Sequence, residues 1–177
     1  MKFNYRKLAV GIFTSLMLTS AANAGDLLVY SSTDADNLKY YMDNFQKDNP
    51  DIKVKVVRES TGTMAAKMMA EKDNPQADVL FEMAATVALK METQGMFHPY
   101  TPKGMDKIDQ RYVDKEGEVN WVGNYGWAGC ICWNTIEAKK LGLPKPKSWA
   151  DLTNPIYKGL ISMPNPNSSG TGFLDVS

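Results

Sequence analysis

The chain is 177 residues long, with 20 basic against 20 acidic side chains, one histidine and two cysteines. That balance excludes a broadly basic surface for nucleic acid or an anionic membrane, so any anion must be held locally. The first residues bear on the compartment. Lys2, Arg6 and Lys7 precede a mostly apolar run over 8–18, and Ala22-Asn23-Ala24 supplies the small residues of a cleavage site. This predicts a secretory signal peptide over 1–24, too short and wrongly flanked for a membrane span, with the mature chain starting near Gly25. No cysteine follows the apolar run, so a lipid anchor is not expected. Cleavage leaves 17 basic against 20 acidic residues, a formal charge of −3.

From Gly25 onward, strand and helix patterns alternate. Residues 26–30, DLLVY, form a short apolar run that reads as a strand. Leu38, Tyr41, Met42 and Phe45 then recur at i, i+3, i+4 and i+7, which predicts an amphipathic helix entered through Asp34 or Asp36 and ended before Pro50. Ile52, Val54 and Val56 alternate in a second strand with one more polar face. GTMAAKMMAEKDNP carries a methionine and alanine stripe and predicts a second helix. ADVLF over 77–81 predicts a third strand. ATVALKMETQG predicts a third helix, with Ala84, Val87, Ala88 and Met91 on one face and Gly95 at its end. Strands separated by helices at this spacing predict an α/β fold of parallel strands joined by right-handed crossovers.

The later chain is less regular. After a long irregular passage, WVGNYGWAGCICWNT reads as extended chain, EAKKLG as a short helix, LPKPKSWADLTNP as a proline-punctuated turn and helix, and KGLISMP as a late strand. On such an extended segment Cys130 and Cys132 share a face with Cα atoms ~6.5–7 Å apart, at the far edge of disulfide geometry. Two small buried apolar side chains are expected there. A Cys-x-Cys metal or redox site is the alternative, with only His98 to supply a ring nitrogen.

In open parallel sheets, ligands bind beyond the carboxyl ends of strands. The first predicted strand runs into Ser31-Ser32-Thr33, the second into Glu59-Ser60-Thr61-Gly62-Thr63, the third into Glu82-Met83-Ala84 and the late one into PNPNSSGTG. Three of these four ends are dense in hydroxyls. Pro164 and Pro166 are expected to keep the backbone extended, Ser168 to cap a helix, and the N–H groups of Ser169, Gly170, Thr171 and Gly172 to stay free. A helix start of this kind attracts anions through its N–H groups and dipole, and Ser60-Thr61-Gly62-Thr63 offers a second. The pair predicts a tetrahedral, multi-oxygen anion such as phosphonate or phosphate. No Gly-Lys-[Ser/Thr] follows, so this is not a Walker loop.

Glu82 reads either as the partner of a ligand ammonium or as a cap for the third helix. Trp121, Trp127, Trp133 and Trp149 read as core or hinge packing, with Trp127 or Tyr125 alternatively placed to line a cleft. His98 reads as a surface histidine. With no Gly-x-Ser-x-Gly elbow, Asp-rich cluster or His-x-x-x-His pair in the sequence, no catalytic group, metal or cofactor is expected.

Several of these stretches also carry a family resemblance. VYSSTDADNLKYYMDNFQKDNPDIKVKVV, STGTMAAKMMAEKDNPQADVLFEMAAT, GWAGCICWNTIEAKKLGLPKPKSWADLTNPIYKG and MPNPNSSGTGFLDVS resemble the extracellular solute-binding proteins of bacterial ABC importers. The closest likeness is to the 2-aminoethylphosphonate-binding group, a branch related to ferric-iron and sugar-phosphate binders. The resemblance implies two α/β lobes joined by strands and closing on ligand, with lobe I over 25–122 and the crossover and start of lobe II over 123–177. Members of the family are longer, so it also implies an incomplete second lobe, an unpaired sheet edge and an aggregation-prone chain.

The function so implied is a periplasmic monomer that delivers an organophosphonate, 2-aminoethylphosphonate, to an inner-membrane ABC permease. The resemblance places the phosphonate with Ser168, Ser169, Gly170 and Thr171, opposite Ser31, Ser32, Thr61 and Gly62. Glu82 and Trp127 complete the expected ligand-binding set. Ferric iron or a sugar phosphate is the alternative within the family, Thr33-Asp34 standing near where ferric binders often carry a histidine. A secreted serine hydrolase is the alternative outside it.

Overall fold

A computed structural model describes residues 25–115 and 118–177; the signal peptide predicted over 1–24 lies outside the described residues. Strand β1 (Asp26–Ser31) is the centre of a three-stranded parallel sheet. It pairs with β2 (Lys53–Arg58) on one side and with β3 (Val79–Phe81) on the other, in the order β2-β1-β3. The register aligns Val29 with both Val56 and Val79, and Ser31 with both Arg58 and Phe81. The carboxyl ends of all three strands therefore lie side by side. That order also puts a topological switch point beside β1, where ligands of parallel α/β sheets bind.

Alternation along β1 divides the sheet into two faces. Leu28 and Tyr30 face helices α2 (Thr61–Ala70) and α3 (Ala85–Thr93), where Tyr30, Met64, Met68 and Met91 form the buried cluster. Tyr30 is 2% exposed, and Met64 and Met91 are 0% exposed. Burying side chains of this size stabilises by about 1.5–3 kcal/mol each. Methionines from α2 and α3 thus supply three of the four residues of this cluster. Tyr30 keeps its hydroxyl satisfied by donating to the Glu71 carboxylate at 3.0 Å, with Lys67 paired to the same carboxylate. The Lys67 hydrogen bond, followed by that of Tyr30, holds the Glu71 carboxyl below its usual range.

Helix α1 (Ala35–Asp48) covers the opposite face. Its predicted stripe holds, with Leu38 buried and Tyr41 edge-on to Phe81 at 5.5 Å between ring centroids. Asp34 occupies the N-cap position without a side-chain cap bond. Tyr41, Met42 and Phe45 share an apolar groove with Leu27, Val29, Val79 and Phe81, and Phe45 stays 37% exposed. Gly95, at φ 64°, follows α3 as expected, and the Met96 N–H closes the helix on the Met91 carbonyl.

Three expectations for the later chain are corrected. The segment over 158–164 is not a strand: Gly159 takes φ 78°, and Leu160 and Ile161 are each 51% exposed with no ladder partner among the described residues. Likewise 123–134 forms no strand, the nearest pairing being the isolated bridge of Val122 to Val113 just before it. A strand without a neighbour buries neither of its faces. Cys130 and Cys132, expected inside, are therefore exposed free thiols. The short helix is present as α4 (Thr135–Leu141), capped by the Asn134 side chain and ended by Gly142 at φ 63°. Trp133 packs edge-on against the buried Tyr157 at 6.3 Å, and Trp121 donates to Glu92. Trp149, read as packing, is 49% exposed.

Candidate functional site

The hydroxyl-bearing strand ends and the segment 165–172 meet. Ser32, one residue beyond β1, donates through Oγ to the Glu82 carbonyl at 3.0 Å, tying the ends of β1 and β3 together. Thr61, the first residue of α2, donates through Oγ1 to Ser32 Oγ at 3.2 Å. The Gly62 N–H donates to the Ser168 carbonyl at 2.9 Å. Gly170 lies over Thr61 so closely that a Cβ there would sit 2.8 Å from Thr61 Oγ1. Seven of the ten predicted ligand residues therefore form one patch: Ser32, Thr61, Gly62, Glu82, Ser168, Ser169 and Gly170. Thr171 follows directly in α5 (Gly170–Asp175).

The details differ from the expectation in four places. Ser31 is 0% exposed, and its Oγ accepts the Thr33 N–H at 3.2 Å, so it supports the end of β1 rather than facing the patch. Ser169, not Ser168, caps α5, accepting the Gly172 N–H at 3.2 Å; Ser168 Oγ turns back to the Asn165 carbonyl. Pro166 lies in a turn rather than in extended chain, because Asn165 gathers the Ser168 and Ser169 N–H groups onto its carbonyl. Of the four N–H groups expected to be free, those of Ser169 and Gly172 are thus used, and those of Gly170 and Thr171 have no acceptor among the described residues.

Glu82 does not cap α3, whose N-cap is Ala84 with no side-chain bond. It takes φ 53°, the one left-handed non-glycine among the described residues. That conformation costs roughly 1–2 kcal/mol for an L-residue and is common where a site overrides local preference. Here it turns the carbonyl to Ser32 while Oε1 accepts from Asn124 at 2.9 Å. Trp127 goes elsewhere. It lines a cavity of about 580 Å³ with Gly129, Trp149, Leu174 and Asp175, at the far end of α5, and the buried Asp175 Oδ1 has no partner there. Tyr125 is 52% exposed, and His98 is exposed as expected.

One residue escaped the sequence reading. Asn165 holds the whole turn, its carbonyl accepting two N–H groups and its Oδ1 accepting the Asn167 N–H at 2.9 Å. An Asn beside prolines and ahead of a hydroxyl run is a turn signal, and it could have been found on that basis.

The hydroxyls clustered beyond the strand ends stand where parallel α/β sheets bind their ligands. Residues 31–175 match the model of the bacterial extracellular solute-binding proteins, and the chain belongs to that family. An uncharacterized protein of Haemophilus influenzae is 32% identical over 98% of this chain and 52% of its own length. The "Probable ABC transporter periplasmic-binding protein y4fP" of Sinorhizobium fredii is 29% identical over 88% of this chain and 43% of its own. The chain thus spans about half the length of the curated relatives it matches.

Among solved structures, the periplasmic binding protein AfuA of Actinobacillus pleuropneumoniae, with fructose-6-phosphate bound, is 32% identical at a TM-score of 0.69. The match covers 82% of this chain and 46% of AfuA. The periplasmic binding protein P5PA is 25% identical at a TM-score of 0.67, over 84% of this chain and 48% of that one. Iron-bound HitA of Pseudomonas aeruginosa, at 22% identity and a TM-score of 0.57, shares the fold alone. The chain has the α/β fold of periplasmic binding proteins, and family membership implies a periplasmic location.

Proposed function

We propose that this chain is the ligand-binding component of a bacterial ABC importer and takes a small anion with a phosphorus-centred, tetrahedral head. The observation that carries the reading is the meeting of Ser32 and Thr61 with Gly170 and Thr171, hydroxyls and unbonded N–H groups at the starts of α2 and α5. The unbonded Gly170 and Thr171 N–H groups can share several oxygens of one anion, the Ser32 and Thr61 hydroxyls joining them by turning from their present acceptors. Each hydrogen bond to a charged oxygen contributes about 1.5–3 kcal/mol. Lobe I is assigned to 25–122, and the crossover with the start of lobe II to 123–177, so the two halves of the anion seat come from opposite lobes. Closure of a monomer on the anion then presents it to an inner-membrane permease.

The ligand we favour is 2-aminoethylphosphonate. The narrow approach of Gly170 to Thr61 suits a small head, and the Glu82 carboxylate, which accepts from Asn124 just beyond β3, suits an ammonium tail. A sugar phosphate is the second reading, favoured by the likeness to AfuA, the structure of which holds fructose-6-phosphate. Both share the head group and differ in the tail. Calorimetry on the full-length protein separates them: heat with aminoethylphosphonate and none with fructose 6-phosphate supports the first, and the reverse supports the second. Tight ferric-iron binding with no heat from either would remove the proposal, as would turnover of an ester that His98→Ala abolishes.

A further inference from the structure

Cys130 and Cys132 are exposed free thiols, and nothing in the patch at the strand ends uses them. Exposure alternates along their segment: Gly129, Ile131 and Trp133 are part-buried, while Cys130, Cys132 and Asn134 are exposed. A period of two puts alternate side chains on opposite sides, so both thiols open to the same side. The inward side is anchored at each end. Gly129 lies against Asp175, where a Cβ would meet Oδ1 at 2.5 Å, and the Trp133 ring packs edge-on against Tyr157 at 6.3 Å. Between these anchors the backbone groups of 130–133 make no hydrogen bond among the described residues, so no ladder fixes the spacing of the two sulfurs.

Residues two apart with this alternation stand ~6.5–7 Å apart at Cα, the limit for a disulfide, whose S–S bond is only ~2 Å. A metal ion between the sulfurs relaxes that demand, because two metal–sulfur bonds of about 2.3 Å in line hold them more than twice as far apart. Ligand number then selects the ion. Structural zinc takes four ligands, and among the described residues no group of three or more His, Cys, Asp or Glu could hold a metal. Two thiolates alone suit a soft ion that accepts two ligands, and their softness selects copper(I) over the harder divalent ions. We propose that Cys130 and Cys132 together form a two-thiolate site for copper(I). Binding replaces two S–H bonds by two S–Cu bonds, so each Cu+ taken up releases two protons, leaves an anionic bis-thiolate and changes no oxidation state. The site does not depend on the anion reading.

The test titrates reduced, full-length protein with copper(I) in the absence of oxygen, against a coloured copper(I) chelator. Wild type should take one ion per chain, release two protons per ion, and show two sulfur ligands by X-ray absorption. Cys130→Ser and Cys132→Ser should each weaken binding by at least about a hundredfold, since either change removes the gain from holding the second ligand at high effective concentration. Both thiols are exposed, so neither change should move the thermal midpoint appreciably. Alkylating the thiols of folded wild type should abolish uptake in the same way without any substitution. Zinc(II) at equal concentration should not displace the copper. Wild-type affinity in either serine variant, or in the alkylated protein, overturns the proposal by placing the ion on other ligands. One ion shared by two chains overturns the pairing within a chain, and no uptake by wild type overturns the site altogether.

Discussion

Thr171→Ala and Ser169→Ala remove neighbouring hydroxyls, yet they should act on different quantities. Ser169 Oγ accepts the Gly172 N–H as the N-cap of α5, and loss of such a cap costs about 0.5–2 kcal/mol of stability. Thr171 is exposed, and its hydroxyl has no partner among the described residues. Its removal should change stability by less than ~0.5 kcal/mol, and alanine's better helix propensity pushes that small change toward a gain. In binding the order reverses. If the Thr171 hydroxyl donates to a charged oxygen, its loss weakens binding by about 1.5–3 kcal/mol, roughly 10- to 150-fold. The assay is calorimetric titration of the full-length variants with 2-aminoethylphosphonate, beside thermal unfolding without ligand. Unchanged affinity in Thr171→Ala would refute the placement of the anion at the start of α5. An equal loss of stability in both variants would show that both hydroxyls serve the fold.

Three further outcomes follow from the core and the surface. Met64→Ala, at 0% exposure between Tyr30, Met68 and Met91, should cost about 2–5 kcal/mol in urea unfolding; a loss below ~1 kcal/mol would contradict the packing. Because Lys67 and then Tyr30 hold the Glu71 carboxyl below its usual range, its stabilisation is present above the unfolded carboxylate range and is lost as pH falls through the depressed value. Urea midpoints of wild type and Glu71→Gln should therefore converge on acidification, and a gap independent of pH would be inconsistent with the pairing. Cys130 and Cys132 should both react with a thiol reagent in the folded chain, and protection of either until denaturant is added would return it to the interior.

The alternation of strand and helix up to α3 was legible because each element carries its own period. Leu38 with Tyr41 and Met42, or Met64 with Met68, needs no distant partner to be recognised. The late segment defeated the same reasoning. KGLISMP has strand composition, but a strand is a pairing, and no neighbour stands beside 158–164 among the described residues. Cys130 and Cys132 were misplaced for that reason too. In the site, residue types pointed to the right strand ends, while the assignment of each donor required the turn at Asn165, which moved the cap from Ser168 to Ser169 and spent the Gly62 N–H. The left-handed Glu82 left no sequence signal, because glutamate seldom adopts that conformation.

The central claim is that a phosphorus-centred anion sits between the starts of α2 and α5, and phosphorus NMR of 2-aminoethylphosphonate tests it with the ligand's own nucleus as probe. Full-length wild-type protein should shift and broaden the resonance in proportion to occupancy, and excess inorganic phosphate should reverse the change. Thr171→Ala should need at least about tenfold more protein for the same effect. An unperturbed resonance at protein excess, or one perturbed identically by Thr171→Ala, would contradict the account.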